Sequence, residues 1–125
     1  MELDPTYQYK QKLKELRPEE EDLWMNLIQQ VNYQIDKIRK EGLQNDEAIT
    51  IIISTIQNII AQKNTEVETL LNLAQKLLNT TFTTLDELAG YFLENIEEIM
   101  NQTIEARGNG KFIFNFLTWK NYNEA

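Results

Sequence analysis

Between Asp46 and Asn79, apolar residues return every three or four positions: Ile49, Ile52, Ile56, Ile60, Val67, Leu70, Ala74 and Leu77, with Lys63 the one charged member of the series. This period lines one face of a helix, and the run is too long for a strand. An unbroken helix over 46–79 would reach roughly 50 Å, longer than a domain of this size is wide. Two signals compete at its middle. Thr65 and Glu68 have capping-box spacing and Asn64-Thr65 are weak helix formers, which favours a break. The stripe nevertheless keeps its phase from Ile56 through Lys63 to Leu70, and on that ground the sequence predicts one continuous or gently kinked helix.

Two further stripes flank it. Trp24, Ile28, Val31, Ile35 and Ile38 alternate steps of four and three, with Leu23 and Leu27 widening the face into a bundle or coiled-coil seam over 19–41. Pro18 opens this helix and the acids Glu19 to Asp22 suit its exposed N–H groups. Lys37, Arg39 and Lys40 suit its C-terminal end, and Gly42 supplies the stop. The third stripe is Leu85, Leu88, Phe92, Ile96, Ile99, Thr103 and Ala106, flanked by Ala89, Leu93, Met100 and Ile104, and predicts a helix over 85–106. Thr84 and Glu87 form its capping box. Gly90 lies inside this helix, where a close crossing by a neighbour is its expected reason and a kink the second.

The two ends are less regular. Asp4-Pro5 can start a short helix to about Leu16, with Tyr9, Leu13 and Leu16 on one side. After Gly108-Asn109-Gly110, the run Lys111 to Trp119 reads either as a strand, with Phe112, Phe114 and Phe116 on one face, or as a short helix or extended tail packed across the bundle. The second reading is preferred, because no second convincing strand is at hand; pairing between subunits is the alternative. The fold expected is therefore all-α: a small antiparallel helical bundle with a short N-terminal helix and an aromatic C-terminal tail. It forms a single domain, 1–125, with an arm at 1–18, a bundle core at 19–106 and a tail at 107–125.

Composition adds limits more than functions. The chain has 125 residues, enough for one core, with 42% hydrophobic and 26% charged residues and only four glycines and two prolines. There is no cysteine, hence no disulfide. No signal-like run occupies the first thirty residues and no apolar stretch is long enough for a membrane span, so a cytoplasmic location away from membranes is expected. The formal charge of −8 disfavours direct nucleic-acid binding. The basic cluster Lys10, Lys12, Lys14 and Arg17 is followed at once by Glu19 to Asp22, which points to charge pairing at a helix junction. No basic recognition helix follows Leu85–Ala89.

Candidate chemistry is sparse. Without histidine or cysteine there is no Ser-His-Asp or Cys-His site, no imidazole acid–base catalyst and no ordinary zinc site. Glycine-rich phosphate loops are missing too. Oxygen ligands remain: Glu94, Glu97 and Glu98, with Asn101 and Glu105 nearby, are weak candidates for a Mg²⁺ site of the kind used in all-helical nucleotide hydrolysis. Glu94-x-x-Glu97 could form one half, and Glu19-x-x-Asp22 is a poor second half. The simpler reading is a solvated face opposite Phe92, Ile96 and Ile99, so no catalytic, metal or cofactor residue is assigned.

The function expected is a non-catalytic protein-interaction module, an adaptor, inhibitor or chaperone-like protein that docks a protein partner. Its acidic surface suits a nucleic-acid-binding partner. The alternatives are a homo-oligomeric structural or assembly protein and a Mg²⁺-dependent all-α nucleotide hydrolase. Interface candidates are Phe112, Phe114, Phe116, Trp119 and Tyr122 in the tail, together with Leu71 and Leu78. The overshooting central helix and the surplus apolar residues, Leu93 and Ile104 among them, predict a homodimer.

Overall fold

Helices carry most of the described residues, 5–107, in a computed structural model. They are α1 (Pro5–Lys14), α2 (Pro18–Glu41), α3 (Asn45–Gln62), α4 (Val67–Leu78) and α5 (Leu85–Arg107). No strand occurs among the described residues. The all-α helical bundle expected from the three stripes is the architecture observed. The tail residues Phe112, Phe114, Phe116, Trp119 and Tyr122 lie outside the described residues.

The long central helix is not one helix. At the end of α3 the Asn64 N–H donates to Ala61 O at 3.2 Å and the Thr65 N–H to Ile60 O at 3.0 Å, while Asn64 takes the left-handed conformation with φ +51°. These paired bonds are the Schellman ending of a helix, with asparagine in the position that glycine usually fills. The prediction of a continuous or kinked helix over 46–79 is therefore corrected to two helices separated by Lys63–Glu66. The capping box expected at Thr65 and Glu68 does not form either: Glu66 is the N-cap of α4, without a side-chain cap. Lys63, read as a member of the apolar stripe, reaches out of the turn to Asp22 Oδ2 at 2.6 Å, so the turn is held against the start of α2. Both side chains are partly in water, and Asp22→Asn is expected to cost under about 1 kcal/mol in urea unfolding.

Once broken, the chain folds back. α2 packs on α3 and α5, α1 packs on α4 and α5, and α3 and α4 both reach α5, so α5 touches every other helix. The buried positions follow the three stripes closely. Leu23, Trp24, Leu27, Ile28, Val31, Ile35 and Ile38 of α2 are buried, as are Leu88, Phe92, Ile96 and Ile99 of α5. Val67 is the exception: it continues the phase of α3 yet is 42% exposed, and burial resumes only at Leu70.

Helix ends explain the boundaries. The α2 helix stops at Gly42, φ +66°, where the N–H groups of Gly42 and Leu43 donate to Arg39 O and Ile38 O. Glu87 and Thr84 form the predicted box at the start of α5, the Thr84 N–H donating to Glu87 Oε1 at 3.1 Å and the Glu87 N–H to Thr84 Oγ1 at 3.2 Å. Gly90 is a correction. A Cβ built there would meet only Ile49 Cδ1 at 3.9 Å, an ordinary contact, and α5 runs through the position as one helix. No close crossing requires glycine there. Gly90→Ala is expected to raise the free energy of unfolding by about 0.5–1 kcal/mol, read as a higher urea midpoint at unchanged slope.

One polar network crosses the core. The Trp24 indole N–H donates to Tyr9 Oη at 3.0 Å, Tyr9 Oη lies 2.6 Å from Thr103 Oγ1, and Thr103 Oγ1 donates to Ile99 O at 2.7 Å. Since the threonine proton is committed to Ile99, the tyrosine donates to the threonine. All three side chains are buried, and the chain of bonds ties α1 and α2 to α5.

Candidate functional site

The carboxylates singled out in the sequence do not converge. Glu94, Glu97 and Glu98 are all exposed on α5. Glu97 Oε1 faces Arg39 Nη1 at 3.5 Å, and Glu98 Oε1 accepts from Gln102 Nε2 at 2.8 Å. Asp22, one of the two acids of the poor second half Glu19-x-x-Asp22, is paired with Lys63. Among the described residues no three aspartate or glutamate side chains gather closely enough to hold a metal ion.

What the acids do form is a helix face. Glu94, Glu97, Glu98, Asn101 and Glu105 occupy consecutive turns on the outer side of α5, away from Phe92, Ile96 and Ile99, and all five are exposed. Lys10 Nζ, from the basic cluster of the arm, pairs with Glu105 Oε2 at 2.6 Å. Arg17 instead serves its own helix start: its backbone N–H and Nε both donate to Glu20 Oε1, at 3.1 and 3.4 Å. The bond from the Arg17 backbone holds the Glu20 carboxyl below its ordinary value. Glu87 is lowered in the same way, first by the Thr83 hydroxyl and then by backbone N–H groups of Thr83 and Thr84.

These bonds favour the ionised Glu87 in the folded chain. Its contribution is complete above the ordinary carboxyl value of 4.5 and is lost as pH falls through the lower folded value. A carboxyl-carbon NMR titration should place the Glu87 midpoint below 4.5. In Glu87→Gln the acid limb of stability against pH should become shallower.

Beside the acidic face lies a cleft of about 190 Å³ between α1, α4 and α5, lined by Tyr9, Leu77, Leu78, Tyr91, Asn95, Glu98, Ile99 and Gln102. Leu78, an interface candidate, belongs to this lining and is half-buried; Leu71, the other, is buried in the chain's own core at 8% exposure. The cleft was not anticipated. Its only trace in the sequence is the spacing of Tyr91, Asn95, Glu98 and Gln102 at four, three and four, which places an aromatic, two amides and an acid along one line of α5. A second, polar depression at the end of α4 is lined by Asn72, Gln75, Lys76, Asn79, Thr80 and Thr81.

No described helix is long and apolar enough to cross a membrane. Compared with protein-family models, with curated proteins and with solved structures, the chain matches none.

Proposed function

We propose that this chain is a non-catalytic protein-interaction module that presents the outer face of α5 to a basic partner. The observation that carries the reading is the succession Glu94, Glu97, Glu98, Asn101 and Glu105, exposed together on a helix whose opposite side is locked into the core. Such a face needs no rearrangement to be displayed, and its charge would speed encounter and set orientation more than it adds affinity. The net charge of −8 extends the same field. A nucleic-acid-binding protein, whose positive channel this surface could occupy, is the partner class it suits. A cytoplasmic location accords with this reading.

The test compares wild type with Glu94→Lys/Glu97→Lys as bait in native lysate, at low and high salt. Both positions are exposed, so folding should survive. A partner retained by wild type at low salt, and lost both with the charge reversal and at high salt, supports the proposal. A partner held equally by both baits at both salts contradicts it.

A homo-oligomeric assembly protein is the second reading, favoured by the half-buried Leu78, Leu93 and Ile104 and the exposed Val67. Two of its original supports have gone, because the central helix does not overshoot and Leu71 lies inside the core. Molecular mass at nanomolar concentration, with and without Lys111–Ala125, separates the two. A dimer that depends on the tail supports assembly, and a monomer in both forms contradicts it.

A further inference from the structure

We propose that the cleft between α1, α4 and α5 binds a small organic ammonium, a primary amine carrying a compact apolar body. Its apolar lining comes from Leu77 and Leu78 of α4 and the ring of Tyr91, which stands edge-on to Phe82 at 5.5 Å and 82°. Along the α5 side the one charged group in the lining is the Glu98 carboxylate, and the unpaired buried atom is an acceptor. Asn95 donates one Nδ2 hydrogen to Tyr91 O at 3.0 Å, which leaves its amide oxygen as an acceptor beside the second Nδ2 hydrogen. Glu98 adds a carboxylate whose Oε1 already accepts from Gln102.

Gln102 decides the sign of the ligand. Its Nε2 must be the atom facing Glu98, since the reverse orientation would set an amide oxygen against a carboxylate oxygen. The other atom is therefore Oε1, and it is buried without a hydrogen-bond partner. A buried acceptor left unpaired is costly, and a ligand that donates to it gains what the free protein lacks. An ammonium brings three donors and a positive charge to this set of acceptors and places its charge within reach of the Tyr91 ring. A carboxylic acid would meet Glu98 as a like charge. A neutral hydrocarbon would leave the acceptors unpaired. At about 190 Å³ the cleft is below the usual range of cofactor sites, which limits the ligand to a small molecule and excludes a nucleotide.

The probes are 2-phenylethylammonium, 2-phenylethanol and phenylacetate, three bodies of one shape and three charges, titrated into the full chain and followed by amide NMR. The ammonium should saturate at a concentration at least roughly tenfold below the alcohol, phenylacetate should not bind, and the shifts should centre on Tyr91, Asn95 and Gln102. Glu98→Gln, at an exposed position, should weaken the ammonium roughly fivefold to tenfold and leave the alcohol unchanged. Gln102→Leu, read alongside its thermal midpoint to show that it folds, should weaken the ammonium likewise. Equal binding of the three probes, no saturation by any of them, shifts confined to the outer acidic face, or an affinity indifferent to Glu98→Gln would each overturn the proposal.

Discussion

Trp24→Ala is expected to remove about 3–5 kcal/mol from the free energy of unfolding, the largest loss from any single truncation among the described residues. Trp24 has no exposed surface, its ring stands 5.9 Å from that of Phe92 at 44°, and its indole N–H is bonded to Tyr9. Truncation empties a volume shared by α2 and α5 and leaves the Tyr9 hydroxyl short of a donor. Small domains commonly hold about 5–15 kcal/mol in total, so the variant should be partly unfolded before much urea is added. Far-UV circular dichroism across a urea series reads this directly. A midpoint close to wild type would mean that Trp24 is not where the helices meet.

Tyr9→Phe should cost about 1–3 kcal/mol although it removes one atom from the core. The ring still fills its site, but the buried indole N–H of Trp24 loses its acceptor, and the cost of an unpaired buried donor exceeds the modest gain from an ordinary hydrogen bond. Thr103 suffers less, because its hydroxyl keeps Ile99 O. The effects of Tyr9→Phe and Trp24→Phe should therefore not add: the double variant should be more stable than the sum of the singles predicts by more than about 0.5 kcal/mol. Hydrogen exchange should show α1 losing protection first in Tyr9→Phe, since a helix of ten residues depends on its docking.

The burial pattern makes clear which features could be read in advance. The seam of α2 was legible because both ends carry signals, proline and acids at one and basic residues with Gly42 at the other, and because its four-three spacing admits no other period. The Thr84–Glu87 cap and the face led by Phe92 were legible for the same reasons. The break at Asn64 was not, because Ile60 and Val67 stand seven positions apart, close to two helical turns, and the stripe keeps its phase whether or not the backbone does. The informative residue was Asn64, one of the few types that enters the left-handed region readily.

Gly90 misled in the opposite direction, since a glycine in a helix invites a packing explanation that Ile49 at 3.9 Å does not supply. The cleft escaped notice because Asn95, Glu98 and Gln102 look like any solvated helix face until α4 folds back beside them. That fold-back depends on the very turn the periodicity conceals.

Amide hydrogen exchange through the residues joining α3 to α4 tests most directly whether the apolar stripe turns back to close one core. The first α4 bond runs from Leu70 N–H to Glu66 O, so the amides of Glu66, Val67, Glu68 and Thr69 have no acceptor within the helix and should exchange quickly. Those of Ile56 to Ile60, and of Leu73 to Leu77, should be slow. Uniform protection from Ile56 to Leu77 would show a single straight helix, and the core described for this chain would not exist.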